Sequence, residues 1–62
     1  MKRVLVLLID GFEEIETITP VDLLRRAGAE VVLASLGEGI HLTGAWKTVI
    51  HADARLEDAL NS

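Results

Sequence analysis

Two unbroken apolar runs mark the chain, and the positions between them follow helical or short strand spacing. Val4-Leu5-Val6-Leu7-Leu8-Ile9 is continuous rather than alternating, the pattern of a strand covered on both faces. Lys2 and Arg3 hold its start in solvent, and Asp10-Gly11 breaks it. Glu13-Glu14-Ile15-Glu16 then opens a helical stretch with acidic residues in the first turn, Arg25 and Arg26 in the last, and Gly28 just past its end. Pro20 lacks the N–H that the Glu16 carbonyl needs. The helix must either kink there or restart with Thr19 as cap, and one kinked helix is favoured because Ile15, Ile18, Val21 or Leu24, and Leu23 still share an apolar face.

Glu30–Leu36 is the second strand, again nearly all apolar. Strand, helix and strand make a right-handed βαβ unit with parallel strands. Gly37–Gly39 turns the chain, and Ile40–Leu42 and Thr48–His51 read as a small antiparallel hairpin joined through Thr43–Lys47. Asp53 is expected to cap a terminal helical turn reaching Leu60. Two parallel strands that both want cover on two faces are not a finished fold, so further strands are expected from another polypeptide, a longer chain or further copies. Residues 1–62 are therefore expected to be the N-terminal part of a single domain.

Composition narrows the chemistry. The chain has 62 residues, and one this short buries only about 60% of the surface its unfolded form exposes. It has no cysteine, so no disulfide, thiolate metal site or thiol nucleophile. Half the residues are hydrophobic, yet the aromatics are one Phe and one Trp. The net charge of −4, with six scattered basic residues, argues against nucleic acid or an anionic membrane as partner. The opening apolar run is too short to span a bilayer and lacks a cleavage site, so the expectation is a soluble, cytoplasmic protein.

In open parallel sheets, ligands sit beyond the C-terminal ends of the strands. That edge begins here at Asp10-Gly11-Phe12-Glu13-Glu14-Ile15-Glu16, one glycine and four carboxylates, which repel phosphate. The second strand ends at Ser35 rather than an acidic ribose ligand, so a nucleotide cofactor is not expected. Glu13 and Glu14 read as solvated first-turn residues. Asp10 is either a turn former or an active-site acid. Glu16 stands apart, flanked by Ile15 and Thr17 and followed by Pro20. His41 and His51 carry no metal-ligand spacing and read as exposed hairpin histidines, and Trp46 either covers the core or meets a partner. No metal and no cofactor is expected.

The order of residues in Asp10-Gly11-Phe12-Glu13-Glu14-Ile15-Glu16, followed by Pro20-Val21-Asp22-Leu23-Leu24-Arg25-Arg26-Ala27-Gly28, resembles the start of the ThiJ/PfpI superfamily, which includes a parkinsonism-associated deglycase. The likeness continues through Val31–Leu36 and into Ala52–Asp58. It implies an α/β fold, the N-terminal βαβ plus small β-hairpin of a flavodoxin-like sandwich, usually dimeric and incomplete without further strands. In that family a later elbow carries a reactive cysteine, and a glutamate of the first helix hydrogen-bonds it. By resemblance that catalytic glutamate is Glu16, with Asp10 and Gly11 beside the substrate pocket. A carboxyl next to a thiolate in a partly desolvated pocket is pushed toward its protonated form and can then donate to sulfur.

The resemblance also implies a dimer contact through Ile15, Asp22 and Arg26. Many members carry Gly-Ser-Arg or Gly-Ser-His in the hairpin, where this chain has Gly44-Ala45-Trp46. The cysteine elbow is absent, so a companion chain carrying it is the expected partner. Two functions follow as expectations. The first is part of a cysteine-dependent glyoxalase-like, deglycase-like or oxidative-stress-responsive hydrolase. The second is a non-catalytic assembly or chaperone-like module that binds through the first helix and the sheet faces.

Overall fold

The computed structural model describes residues 2–61. Strand β1 (Arg3–Leu8) leads through a tight loop to helix α1 (Glu14–Arg26), then β2 (Glu30–Ser35). The hairpin strands β3 (His41–Thr43) and β4 (Val49–His51) follow, then β5 (Ala54–Arg55) and the short helix α2 (Leu56–Leu60). β1 and β2 are parallel with Arg3 opposite Glu30 and Leu8 opposite Ser35, and bonds from Glu30 N to Lys2 O (2.9 Å) and Leu36 N to Leu8 O (2.8 Å) extend the ladder at both ends.

The expected βαβ unit and hairpin are present, with a third parallel strand that the sequence pattern did not announce. β5 pairs with β2 at Ala34–Ala54 and Ser35–Arg55, so the sheet order is β1-β2-β5 and the hairpin forms a separate two-stranded sheet. Asp53 leads into β5 rather than capping α2, whose N-cap is Arg55 without a side-chain bond. Its carboxylate accepts from Leu33 N at 2.7 Å and from Arg25 at 3.2 Å, while its own amide donates to Leu33 O at 2.8 Å. Arg25 also donates to Val31 O at 3.0 Å, which pins the end of α1 to β2. An acceptor that completes a strand ladder is worth more to Asp53 than the cap of a five-residue helix.

Helix α1 is one element with Pro20 inside it. Its end is a Schellman motif: Gly28 adopts φ +94°, its amide donates to Arg25 O, and Ala29 N reaches back to Leu24 O. The face turned to the sheet carries Thr17, half-buried, and Val21, buried. At 100° per residue, Ile15, Asp22 and Arg26 lie on the far side, while Ile18 sits on the flank one turn before Val21. The expected apolar face is therefore split: Val21 is buried against the sheet, while Ile15 at 73% and Leu23 at 59% exposure face outward.

The core lies between that helix face, one face of the sheet and the hairpin. Leu8, Phe12, Val21, Val31, Leu33, Leu42 and Ala52 are buried, with Val4, Val6 and Ile50 packed against them. On the other face of β1, Leu5, Leu7 and Ile9 are exposed, so only one of the two faces the continuous apolar run calls for is covered. α2 leans on the β2 part of that second face, where Ala34 is fully buried. None of the helices among the described residues is long and apolar enough to cross a membrane.

Candidate functional site

The loop between β1 and α1 does not run free over the strand ends. Gly11, at φ +90°, turns its amide onto Thr43 O at 2.8 Å, while Asp10 Oδ1 accepts from Thr43 N at 2.9 Å. Ala45 N donates to Phe12 O at 2.8 Å. Residues 10–12 are thus stitched to the hairpin, and Phe12 is driven into the core between them. Asp10 Oδ1 is thus held by a backbone amide of the hairpin.

Glu14 continues the seam, and here the solvated first-turn reading is corrected. Its Oε2 accepts from Trp46 N at 2.9 Å and Thr48 N at 3.2 Å, closing the hairpin tip. Its Oε1 is buried without a hydrogen-bond partner among the described residues. Desolvation works to raise the carboxyl's pKa. Backbone amides of Glu14 itself, Thr48 and Trp46, together with the Thr48 hydroxyl, outweigh it and hold the pKa below the ordinary glutamate value. The carboxylate fits because residue 44 is glycine: a Cβ there would sit 2.5 Å from Oε2 and 2.6 Å from Cδ. No periodic signal marks Glu14, since its partners lie more than thirty residues away. Glu13, by contrast, is the exposed N-cap, accepting from Ile15 N at 3.3 Å.

Glu16 lies in the first turn of α1, exposed, and its carboxylate makes no hydrogen bond or ion pair among the described residues. It is two residues beyond the Glu14 anchor, so the seam fixes the turn from which it projects. The structure brings Asp10, Gly11 and the first turn of α1 together at the C-terminal end of β1. It does not bring Ser35 into that group. Ser35 Oγ donates to Gly39 O at 2.6 Å and accepts from Gly37 N at 3.1 Å, shaping its own turn. A separate cleft of ≈ 240 Å³ opens between the ends of β2 and β5, lined by Ser35, Leu36, Gly37, Arg55, Leu56 and Glu57.

The residues named for a dimer contact all lie on the outer face of α1. Ile15 is exposed, and Arg26 Nε donates to Asp22 Oδ1 at 3.0 Å in an exposed i,i+4 pair. Leu23 is exposed as well. Trp46 is 80% exposed, which removes the reading in which it covers this chain's core. Its neighbour Lys47 takes φ +76° to close the turn, with its amide on Gly44 O at 3.1 Å. No group of three or more His, Cys, Asp or Glu residues positioned to hold a metal ion occurs among the described residues.

The family description DJ-1/PfpI matches residues 2–62. The Parkinson disease protein 7 homolog of Danio rerio is 45% identical over 58 residues, which is 94% of this chain and 31% of that protein. Oxidized Toxoplasma gondii DJ-1 superposes with a TM-score of 0.94 at 35% identity, covering all of this chain and 34% of its own. Drosophila melanogaster DJ-1beta gives 0.90 at 36% identity, covering 98% of this chain and 33% of its own. The chain spans about a third of the length of each of these relatives. The parallel sheet, α1 and the hairpin are the elements shared with these flavodoxin-like folds.

Proposed function

The chain belongs to the DJ-1/PfpI family, and on that premise we propose that it supplies Glu16 to a cysteine site whose sulfur stands on polypeptide outside these 62 residues. The observation that carries this is the position of Glu16. It is an exposed carboxyl with no partner among the described residues, in the first turn of the helix that follows β1 and on a turn anchored by Glu14. Parallel α/β sheets bind their ligands at that edge. In the completed site the cysteine attacks as thiolate, and Glu16 holds the sulfur by a hydrogen bond and shuttles the proton. Asp10 and Gly11 form the adjoining wall of the pocket. The substrate class is a small reactive carbonyl such as a glyoxal, or an oxidant that converts the thiolate to an acid held by the same carboxyl. The Toxoplasma relative, described as oxidized, supports the second option.

The outer face of α1 favours assembly as part of the same picture. Ile15, Asp22 and Arg26 with Leu23 are exposed on α1, which suits a dimer of the completed domain. A purely assembling, non-catalytic or chaperone-like module is the second reading, favoured by the exposed Leu5, Leu7 and Ile9 on the open sheet face.

The test is the protein together with the polypeptide that bears the cysteine, assayed for consumption of glyoxal and methylglyoxal and for alkylation of the thiol. Glu16→Ala is expected to slow turnover by roughly 10²-fold or more, the usual contribution of a positioned proton-transfer group, with folding unchanged. Unchanged turnover and alkylation would overturn the Glu16 role. If Glu16→Ala is silent while Leu23→Asp abolishes association, the assembly reading replaces it.

A further inference from the structure

We propose that His41 and His51 form a two-imidazole chelate for a divalent transition-metal ion of borderline softness, such as Zn²⁺, Ni²⁺ or Cu²⁺, on the outer face of the hairpin. The spacing of ten residues carries no ligand signal, but the strand register does. His41 is directly opposite His51, with Leu42 opposite Ile50 and Thr43 opposite Val49. Backbone bonds from Ala52 N to Ile40 O (2.7 Å) and from Gly44 N to Thr48 O (2.8 Å) identify residues 40 and 52, and 44 and 48, as hydrogen-bonded pairs. Alternation along an antiparallel ladder then makes His41–His51 a non-hydrogen-bonded pair, the class whose side chains stand closest.

The geometry agrees. The two ring centroids are 4.1 Å apart with planes at 69°, and both residues are exposed. Leu42 and Ile50 turn to the core side, so the imidazoles share the solvent side with Thr43 and Val49. Two imidazole nitrogens bound to one tetrahedral ion at 2.0–2.1 Å stand roughly 3.4 Å apart. Exposed rings in edge contact reach that separation by side-chain rotation alone, with the backbone already in place. Neutral imidazole suits Zn²⁺, Cu²⁺ and Ni²⁺ and not the hard cations, and affinity among them should follow Cu²⁺ above Ni²⁺ and Zn²⁺. No further His, Asp or Glu among the described residues completes a set of three. Water or a group from a bound partner takes the remaining positions, and the site is one of moderate affinity.

The test is calorimetric titration of the purified protein with Zn²⁺ and with Ni²⁺, alongside His41→Ala, His51→Ala, and a relocation variant, Trp46→His with His51→Ala. The relocation variant keeps two histidines in the hairpin but separates them. One ion per chain is expected for the parent, with affinity lower by at least about tenfold in all three variants, since loss of a direct ligand costs no less than loss of its supporting contacts. Ni²⁺ should broaden both histidine ring signals in the parent at the same added concentration. Amide protection at Leu42 and Ile50 shows that the hairpin persists in the variants. If a variant loses that protection, the broadening in the parent decides the matter. Broadening of one ring only, or affinity in the relocation variant equal to the parent's, would refute the chelate.

Discussion

Gly44→Ala probes the seam between the hairpin and α1 most directly. Residue 44 is buried, and the added methyl would lie 2.5 Å from Glu14 Oε2, 2.6 Å from Cδ and 3.0 Å from Cγ. Those distances are far inside van der Waals contact, so one group must move. The glutamate can swing aside, but only by leaving the amides of Trp46 and Thr48 that it caps. Forcing a methyl into a filled site costs about 1–3 kcal/mol, and in a domain of about this size each kcal/mol lowers Tm by roughly 4–8 °C. The control is a double-mutant cycle with Glu14→Ala, which removes the obstructing atoms and the bonds together. In that background Gly44→Ala should cost little, so the two substitutions should be strongly non-additive. Thermal melts followed by circular dichroism on the parent, both single variants and the double variant give the coupling. An equal cost of Gly44→Ala with and without Glu14 would show that the clash is not what makes residue 44 a glycine.

Three further outcomes are expected. The folded-state pKa of Glu14 lies below its unfolded value, so its contribution is fully present above the ordinary glutamate range and is lost as pH falls through the lowered value. Glu14→Gln should therefore flatten the acid side of the stability profile, and urea titrations from pH 7 to pH 3 measure this. Asp53→Ala leaves the amide of buried Leu33 without its 2.7 Å acceptor and should cost about 1–3 kcal/mol, whereas Asp53→Asn keeps an acceptor and should cost less, by the same melts. Lys47→Gly should raise stability by roughly 0.5–1 kcal/mol, because φ +76° strains a side chain that glycine lacks.

The hydrophobic pattern carried the βαβ unit, the helix ends and the hairpin, because each rests on local chemistry: apolar runs, the Gly28 stop and strand-prone pairs flanking a turn. The elements that escaped rest on distant partners. β5 is two residues long, and its approach to β2 is held by Asp53, whose amide and carboxylate both bond Leu33. Glu14 looked like Glu13, and only the arrival of Trp46 and Thr48 separates the capping acid from the solvated one. The apolar face of α1 reads in the sequence as one surface, yet the helix packs through Val21 beside Thr17 and turns Ile15 and Leu23 outward. A pattern reports which side wants cover, not which partner provides it. His41 and His51 were separate residues until the strand register set them opposite each other.

The first turn of α1 is held from outside the helix. Pro20 removes the backbone bond that would tie the Glu16 carbonyl to the next turn, and the outward stripe gives that turn little packing. Its position is set instead by three anchors to the hairpin: Gly11 and Asp10 on Thr43, Phe12 on Ala45, and Glu14 on Trp46 and Thr48. Glu16 is thereby oriented by a segment about thirty residues downstream. Binding at the hairpin, as proposed for the histidine pair, would act on the same backbone that holds the first turn of α1. A rigid carboxyl is what the thiolate site proposed for Glu16 would require, since a misplacement of about 1 Å can cost roughly 10²-fold in rate. The hairpin is thus the element that turns a weakly packed helix end into a positioned one.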